Sequence, residues 1–417
     1  MTPEVKERIE QIRHGNVPEG YKKTAAGIMP ITWRQVRIGD VCAVNPLRPK
    51  KQEERVTFLG MADVSEEGRL INPSIVDYTK VSKGFTPFER GDILVAKITP
   101  CFENGKGADT NALPTQQGYG STEFHVLRCK DVDRRYMFLH TTSYEFRKKL
   151  ESEMTGSAGQ KRVQTESVAS YLLGLPSIDE QQGIAEILTV QDKAIELKEK
   201  LLAEKQRQKK YLMQQLLTGK KRLPGFDGEW KKVKLRKLLK ERKTYSPKGT
   251  EYPHVTLSTE GIYAKSERYD RDHLVKNDDK EYKITHRGDI CYNPANLKFG
   301  VICMNSFGDA IFSPIYVTFE VIGKVCPEFL AAYLMRWDFI NAVRKYEEGT
   351  VYERMAVKPE DILKFEIKLP SIEEQKAISK ILSLYDSEIE LLKNDLNQEK
   401  QKKKALMQLL LTGIVRV

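Results

Sequence analysis

The feature that most constrains how this 417-residue chain can fold is an internal repeat. Residues 175–223 align without a gap on residues 369–417, and nearly half of the 49 aligned pairs are identical. Two earlier anchors, a tryptophan and an Arg-Gly-Asp-Ile motif, recur at an offset of 197 rather than 194 residues, so insertions or deletions separate the anchors. A repeat of this length predicts two units built on one plan.

Each copy of the repeat ends in a segment with the pattern of a long helix. No proline occurs between Pro176 and Gly219 or between Pro370 and Gly413, and the two glycines stand where C-caps are expected. Apolar residues of the second copy follow the 4-3 spacing of a coiled-coil seam, whereas the first copy places polar residues such as Gln191 on that stripe. We expect the two helices to pair antiparallel about a pseudo-twofold axis.

The segments that precede these helices are typical of mixed α/β domains. Short β-branched runs are separated by Gly, Pro and Asn, and one helix is expected before each closing loop, around 136–150 and 328–344. The two segments share anchors but not inserts, because residues 103–107 have no counterpart in 292–298. The predicted fold class is α+β, with two α/β domains separated by two long antiparallel helices that form a coiled coil.

The two long helices continue differently, which bears on the domain boundaries. The first is followed by a Leu-Pro-Gly-Phe tail at 223–230, whereas the second reaches Val417 within a few residues, and the stretch 15–33 can supply the missing tail. We predict five regions: an N-terminal helix and lead-in that complete the second repeat (1–33), a first α/β domain (34–175), a central helical spacer (176–229), a second α/β domain (230–369) and a C-terminal helical spacer (370–417).

The charge of the chain favours a polyanionic partner without identifying it. Lys and Arg number 69 against 58 Asp and Glu, a formal net charge of +11. The six cysteines include no C-x-x-C pair and no histidine at metal-ligand spacing, so we expect neither a zinc site nor a disulfide framework. The amino terminus is charged and no apolar run approaches about 18 residues, so we expect a cytoplasmic protein without a membrane partner.

Over nearly the whole chain these residues resemble the specificity subunits of type I restriction-modification systems. The resemblance rests on Arg-Gly-Asp-Ile-Leu at 90–94, Leu-Pro-Ser-Ile-Asp-Glu-Gln-Gln at 175–182 with its long helix, Leu-Pro-Gly-Phe-Asp-Gly-Glu-Trp at 223–230, and second copies of most of these motifs. Each motif alone is loose, but their order, their duplication and the divergent inserts make the combination specific. In that family the two α/β domains are target-recognition domains.

The resemblance implies that each target-recognition domain reads one half of an interrupted double-stranded DNA site. It also implies that the helices set the gap between the half-sites and dock two modification subunits, and that this chain itself has no catalytic residue, metal or cofactor. Methyl transfer from S-adenosylmethionine to adenine would belong to the modification subunits, and ATP- and magnesium-dependent translocation and cleavage to restriction subunits. A partner that fuses methylation and restriction is an alternative within the family.

Candidate DNA contacts are basic and polar side chains in the inserts and closing loops. Lys and Arg bind guanine edges or phosphates, and Asn can pair with adenine. The candidates are Lys97, Asn104, Lys106, Lys161 and Arg162 in the first domain and Asn293, Asn296, Lys298, Tyr352 and Arg354 in the second. A structural role is the alternative for each, and above all for the two arginines.

Two motifs that resemble catalytic sites are interpreted as structural. Asn293-Pro294-Ala295-Asn296 resembles the loop with which adenine methyltransferases hold a flipped base, but the third residue and the stacking aromatic differ, so a turn at a sheet edge is expected. Asp361 with Glu366 resembles a nuclease metal site, yet the first copy has no acid there. Two other classes remain as alternatives, a self-sufficient DNA methyltransferase and a coiled-coil scaffold without sequence-specific binding. Missing donor-binding motifs count against the first, and divergent inserts against the second.

Overall fold

The structure is a computed structural model that describes residues 2–47, 53–157, 159–247, 252–265, 281–348 and 356–417. The chain forms two compact units. The first unit comprises residues 1–198 together with 395–417, and the second comprises residues 199–394. Each long helix contributes one part to the first unit and the other part to the second.

The chain up to the first long helix alternates short strands with short helices. The strands are β1 (Tyr21–Thr24), β2 (Gly27–Pro30), β3 (Arg34–Arg37), β4 (Cys42–Val44), β5 (Arg55–Leu59), β6 (Ser74–Asp77), β7 (Thr86–Glu89), β8 (Ile93–Ala96), β9 (Gly107–Asp109), β10 (Gln117–Gly120), β11 (Phe124–Cys129) and β12 (Leu172–Leu175). The helices are α1 (Pro3–Arg13), α2 (Ile38–Val41), α3 (Tyr78–Val81), α4 (Arg134–Thr142), α5 (Tyr144–Glu151), α6 (Thr165–Ser170) and α7 (Ile178–Leu216).

The second part of the chain has the same alternation and ends in the second long helix. The strands are β13 (Lys231–Lys234), β14 (Leu239–Glu241), β15 (Tyr245–Pro247), β16 (Val255–Ser258), β17 (Gly261–Ala264), β18 (Glu281–Thr285), β19 (Ile290–Tyr292), β20 (Ile302–Met304), β21 (Ala310–Phe312), β22 (Val317–Val321) and β23 (Glu366–Leu369). The helices are α8 (Pro327–Leu334), α9 (Trp337–Val343), α10 (Pro359–Lys364) and α11 (Ile372–Leu411). The chain is thus of mixed helix and strand content with one pair of long helices.

Both domains have two short helices where the sequence predicts one, so that prediction is wrong. In the first domain Ser143 separates α4 from α5, because its backbone is extended and its hydroxyl accepts the N–H of Phe146 as an N-cap. In the second domain Arg336, also extended, separates α8 from α9. The apolar periodicity continues across each break and conceals it, whereas the cap residue marks it.

The first unit contains two four-stranded sheets and two strand pairs. One sheet, in the order β4-β11-β8-β9, is antiparallel throughout, and the other, in the order β6-β5-β10-β7, includes the parallel pair β5 and β10. Strand β8 is buried along its whole length in the middle of the first of these sheets. The residues that follow Ala96 therefore leave the sheet from a rigid, fully packed strand.

The second unit repeats the strand order of the first unit and adds one strand. The order β14-β22-β19-β20 matches β4-β11-β8-β9, and the pair β13 with β23 matches β3 with β12. The remaining strands also follow the first unit, because the hairpin β16-β17 matches β5-β6, the antiparallel pair β18-β21 matches β7-β10, and a parallel bridge from His254 to Ile311 joins them as β5 joins β10. Strand β15, paired with β18, is an addition of the second unit. The two units therefore share a frame of strands, and they differ in β15 and in the connections between the shared strands.

The Arg-Gly-Asp-Ile motif forms the turn that leads into the central strand of each shared sheet. Asp92 accepts the N–H of Glu89, and Asp289 accepts the N–H of His286 in the same way. Each buried carboxylate also receives two N–H groups from one arginine, Arg128 of β11 in the first unit and Arg242, directly after β14, in the second. The motif is therefore a structural turn with a neutralised carboxylate.

A buried glutamine near the start of each long helix fixes the helix to the domain. The amide of Gln181 donates to the carbonyl of Pro176 and accepts the N–H of Asp133, the N-cap of α4. Gln375 makes the equivalent two hydrogen bonds, to Pro370 and to the N–H of the α8 N-cap. The duplicated Leu-Pro-Ser-Ile-x-Glu-Gln motif thus joins strand, long helix and short helix in both units.

In the first unit the amino-terminal lead-in contacts the end of α11. Tyr21 donates to the carbonyl of Gly413 at 2.7 Å, and Arg8 donates to the carbonyl of Ile414 at 2.7 Å. The buried carboxylate of Glu180 accepts the indole N–H of Trp33 and two N–H groups of Arg416, from Nε and Nη2. The residues after α11 and the residues before β3 are therefore packed as one layer of the first unit.

The two long helices pair through polar residues in the first unit. Lys198 of α7 contacts Asp395 at 2.7 Å and Glu399 at 2.9 Å, and Gln191 also donates to Glu399 at 2.7 Å. The neighbouring ion pair joins Asp192 to Lys403. Residue numbers rise along α7 while those of its partners fall along α11, so the helices are antiparallel within this unit.

The second unit contains the other parts of the two helices, again paired by charge. Lys205 contacts Glu388 at 2.7 Å, and Lys209 contacts Asp386. Numbers again rise on one helix and fall on the other, so the pairing is antiparallel within this unit too. Regular knobs-into-holes packing of a coiled coil, and the five predicted domain boundaries, stay predictions.

Candidate nucleic-acid interface

The connection between β8 and β9, residues 97–106, carries three of the sequence-predicted contacts and is held from below by a buried arginine. Arg147 of α5 donates to the carbonyls of Phe102 and Gly105 at 3.1 and 3.3 Å. Burial without a carboxylate partner lowers the pKa of this guanidinium to about 9. The sequence analysis missed Arg147. The residue lies between Phe146 and Leu150 in a segment with the pattern of an amphipathic helix, in which an arginine is expected on the exposed face.

Lys97, Lys161 and Arg162 lie together at the end of β8. The closing loop runs beside the connection, since Val163 donates to the carbonyl of Lys97 and Thr99 donates to the carbonyl of Lys161. Arg162 forms an ion pair with Glu123 at 2.9 Å, which raises the pKa of the guanidinium. Neither ammonium group, on Lys97 or on Lys161, has a partner among the described residues, so these two cations are free to bind an anion.

A cavity of about 400 Å³ lies directly beside Lys97, with Phe85 and Phe124 in its lining. Asn45 also lines it, and its backbone has a φ of +51°, which non-glycine residues rarely adopt. The amide of Asn45 donates to His125 and Thr165, and burial lowers the pKa of His125. Asn45 and His125 thus fix the wall of the cavity, a role that their isolated positions in the sequence did not indicate.

Asn104 and Lys106 have different surroundings from Lys97. The ammonium group of Lys106 donates to the carbonyl of Met61 at 3.0 Å, so it fastens the connection to a neighbouring turn. Asn104 is exposed and lines a cavity of about 570 Å³ together with Glu66 and Lys404. The first unit therefore brings together Lys97, Lys161 and Arg162 and holds Asn104 and Lys106 apart from them.

The connection between β19 and β20 contains the candidates of the second unit. Asn293 is buried, and its side-chain oxygen accepts the N–H groups of Ala295 and Asn296, which makes it the turn-forming residue. Asn296 precedes a short helical turn, and the exposed Lys298 lies over the ring of Phe299. Only Asn296 and Lys298 of these candidates present side chains to the surface.

The other sequence-predicted residues fall into two groups. Tyr352 and Arg354 lie outside the described residues. Asp361, considered above as part of a nuclease site, is buried and paired with Lys364 at 2.9 Å.

In the part of the chain that the structure describes, no three His, Cys, Asp or Glu side chains are arranged to hold a metal ion, and no helix is long and apolar enough to span a membrane.

The fold and the candidate site together define a class of protein. Its members have two copies of one α/β frame, and the connections that differ between the copies carry exposed cationic and amide side chains. The family model described as type I restriction modification DNA specificity domain matches residues 30–206 and 228–401. These two matches cover most of the 417 residues, and the chain belongs to this family.

Similar proteins agree with this family. The EcoAI specificity subunit of Escherichia coli is 34% identical over 188 residues, 43% of this chain and 32% of that protein, and the EcoEI specificity subunit of Escherichia coli is 34% identical over 160 residues, 37% and 27% of the two chains. These matches thus span less than a third of the two relatives. A Methanocaldococcus jannaschii protein assigned as the MjaX specificity subunit is 24% identical over 96% of this chain and 97% of its own length.

Two solved structures have a similar fold. A chain from a structure of the complex assembly of a type I restriction-modification system superposes with a TM-score of 0.59 at 17% identity, covering 93% of this chain and 99% of that one. A type I S subunit from M. genitalium superposes with a TM-score of 0.53 at 13% identity, covering 91% and 96%. At these identities the likeness concerns the fold alone.

Proposed function

We propose that this chain is the DNA-reading subunit of a type I restriction-modification complex, and that each α/β domain reads one half of a bipartite site. The observation that carries the proposal is the contrast between the repeated frame and the unrepeated connections. The first unit presents the free ammonium groups of Lys97 and Lys161, whereas the second presents Asn296 and Lys298. Different side chains on equivalent supports suit two different half-sites.

The long helices have the surface expected of a docking site for modification subunits. In the first unit Val190 and Leu197 of α7 are 65% and 56% exposed, and in the second unit Leu384 and Leu391 of α11 are 62% and 68% exposed. The two pairs stand at aligned positions of the repeat, each with a spacing of seven residues. Exposed apolar pairs mark partner surfaces, and their duplication suits two copies of the same subunit.

The chemistry of the complex is assigned to the partners. In this proposal the modification subunits use S-adenosylmethionine and the restriction subunits use ATP and magnesium. This chain selects the DNA sequence on which they act. The purified chain alone is expected to incorporate no methyl groups into DNA, whereas its complex with modification subunits methylates adenine at a bipartite motif. Methyl incorporation by the isolated chain would instead favour a self-sufficient methyltransferase.

Domain exchange tests the two-reader proposal directly. Residues 34–170 are replaced by the first recognition domain of another family member, and the methylated motif is determined by sequencing. One half-site is expected to change, and the other half-site and the gap are expected to persist. A motif in which both half-sites change would contradict the proposal.

Docking is tested with two matched variants of the exposed apolar pairs. Val190→Asp with Leu197→Asp removes the pair of the first unit, and Leu384→Asp with Leu391→Asp removes the pair of the second. Native mass spectrometry is expected to show complexes with one modification subunit for each double variant and with none for the combination. Complexes that keep two subunits would rule out this surface.

A further inference from the structure

The second unit carries a concentration of exposed cations that the proposal above does not use. Residues 231–243 contain eight Lys or Arg and one Glu, a net charge of +7, whereas the aligned residues 34–46 carry a net charge of +1. The whole chain carries +11, so these thirteen residues supply more than half of it. The charge is therefore an addition to one repeat and not a property of the shared frame.

These cations form one continuous surface, which we call the basic stripe. It consists of Lys231, Lys232, Lys234, Arg236, Lys237, Lys240, Lys324 and Lys368, all of them exposed residues of the second unit. Lys231 and Lys324 line one cavity of about 630 Å³, and the backbone carbonyl of Lys237 lies against Gly323, next to Lys324. The stripe follows β13 and β23, the turn after β13, and then the edge strand β14.

Two lysines of the stripe lie directly opposite each other on neighbouring strands. The register of β13 and β23 places Lys232 against Lys368, and both face outward because the adjacent pair, Val233 and Ile367, packs into the core. Like charges at directly opposed positions destabilise a sheet. The aligned pair of the first unit is Gln35 and Gly174, which carries no charge. The second unit thus keeps a repulsive pair that the frame does not require.

The protein leaves most of this charge unneutralised. Lys231, Lys234, Arg236, Lys237, Lys240, Lys324 and Lys368 have no hydrogen-bond or ion-pair partner for their cationic groups among the described residues. Lys232 has one exposed ion pair, 3.8 Å to Glu366. The carboxylates of Asp227 and Glu229 also line the cavity beside Lys231, and the register places Glu366 opposite Lys234 and Glu320 opposite Lys240. The eight cations of the stripe outnumber these four acids, and the turn that follows β13 carries Arg236 and Lys237 without an acid.

The stripe extends away from the candidate reading turn of the second unit. Strands β14 and β19 both run antiparallel to β22 and therefore run in the same direction. Arg236 and Lys237 precede β14, whereas Asn296 and Lys298 follow β19, so the two sets lie at opposite ends of the sheet. Lys240, on β14 itself, lies between them along the edge.

We propose that the basic stripe binds the sugar-phosphate backbone of DNA next to the half-site of the second unit, independently of sequence. Rows of Lys and Arg suit phosphates, whereas protein interfaces are depleted in lysine and enriched in aromatic side chains. None of the described residues in 231–244 is an exposed large apolar side chain. The proposal rests on the DNA-reading function proposed above and adds a second, non-specific contact on one unit only.

The test compares two variants within the complex with modification subunits, on duplexes that carry the recognised site and long flanks. The stripe variant is Lys232→Gln, Lys234→Gln, Lys368→Gln, and the control is Arg34→Gln, Arg37→Gln, at the positions aligned with Lys231 and Lys234. The slope of log K against log salt is expected to become shallower by about 0.9 for each lysine that contacts a phosphate. The control is expected to keep the wild-type slope.

Three further readouts make the result decisive. The stripe variant is expected to methylate an unchanged motif. It is also expected to keep its melting temperature, because removal of the repulsive pair offsets loss of the exposed ion pair between Lys232 and Glu366. An unchanged slope and affinity would overturn the inference while leaving the DNA-reading function intact, whereas a wild-type complex that binds no DNA would overturn that function. Loss of modification subunits from the stripe variant would also overturn the inference, because it would make the stripe a protein-binding surface.

Discussion

Two adjacent glutamines on α7 have opposite environments and offer a controlled test of the frame. Gln181 is buried and satisfies the carbonyl of Pro176 and the N–H of Asp133, whereas Gln182 is exposed. Gln181→Ala leaves two backbone groups without partners and is expected to lower the free energy of unfolding by about 2–4 kcal/mol. Gln182→Ala is expected to change it by less than about 0.5 kcal/mol. Equal losses in urea denaturation would contradict the assigned role.

His140 predicts how the stability of the chain depends on pH. Burial without a hydrogen bond to Nε2 lowers the pKa of this side chain from 6.5 to about 4. The unfolded chain therefore binds more protons below pH 6.5, and stability is present above that pH and falls as the pH drops towards 4. Between pH 6.5 and 5 the loss is about 2 kcal/mol. His140→Leu is expected to lack this loss.

The control for His140 is the exposed His14 of α1. His14→Leu is expected to keep the wild-type dependence of the melting temperature on pH. His125, whose pKa burial also lowers, contributes in the same direction to all three proteins. A His140→Leu variant that melts with the wild-type pH profile would show that His140 is not the group responsible.

Asn293 and Asn45 show what the sequence can and cannot predict about single residues. Asn293 has the amide chemistry of an adenine contact, but two backbone N–H groups occupy its oxygen, as the interpretation of its motif as a turn implies. Asn45 supports the cavity beside Lys97, yet it depends on His125 and Thr165, which are distant in sequence. The sequence shows which side chains can form hydrogen bonds, but it does not show which neighbours already occupy their donors and acceptors in the folded chain.

The polar pairing of α7 with α11 makes the helix pair of the first unit sensitive to acid and salt. Hydrogen bonds from Gln191 and Lys198 lower the pKa of Glu399 from 4.5 to about 2. This carboxylate therefore contributes stability above pH 4.5, and the contribution is lost as the pH falls towards 2. Glu399→Gln is expected to melt lower than wild type at pH 7 and to lose less stability on acidification.

Glu390→Gln, an exposed position on the same helix, is the control for Glu399. Melting temperatures of the two variants and of wild type are compared at pH 7 and at about pH 3, inside the range in which the Glu399 contribution is lost, each in low and in high salt. The deficit of Glu399→Gln is expected to shrink in high salt, because part of the interaction is between screened charges. A deficit that is independent of salt would indicate lost packing instead.

At the element scale, the long helices were predictable and the short ones were not. Proline and glycine mark both ends of α7 and α11, and the polar residues on the stripe of α7 indicated that the partner helix must offer polar contacts. Asp395 and Glu399 supply those contacts. The breaks at Ser143 and Arg336 were missed, since a single capping residue is a weaker signal than an apolar period that continues through it.

For the whole molecule, the proposal that the helices set the gap between half-sites leads to a length test. Four residues inserted after Lys198 in α7 and four after Asn394 in α11 add ~6 Å of rise and a net rotation of ~40°. We expect the gap in the methylated motif to lengthen by one or two base pairs, at ~3.4 Å each, with both half-sites unchanged.

A one-residue insertion at the same two positions is the contrasting variant. It rotates the downstream part of each helix by ~100° and takes the paired stripes out of register, so loss of assembly or of DNA binding is expected. A four-residue variant that methylates the original motif with the original gap would show that the helices do not set it.

The repeat made the architecture of two similar units predictable, and the same repeat hid their differences. Alignment identified Trp33 with Trp230 and Asp92 with Asp289, which have equivalent positions in the frame. The shared positions did not indicate the basic stripe, which comes from positions where the aligned copies differ, such as Lys232, Arg236 and Lys237 in place of Gln35, Gly39 and Asp40.

The neutralised carboxylates of the Arg-Gly-Asp turns have a consequence for gene recombination. Consider a crossover near codon 60, ahead of the first Arg-Gly-Asp turn. Asp92 and Arg128 are both encoded after this point, so the carboxylate and its guanidinium partner come from the same parent gene. Arg242 lies before the aligned crossover point, near codon 257, and Asp289 lies after it, so the same exchange in the second half can leave a buried carboxylate without its guanidinium. Viable natural chimaeras of the second half should therefore have their crossovers outside 242–289, whereas those of the first half tolerate one near 60.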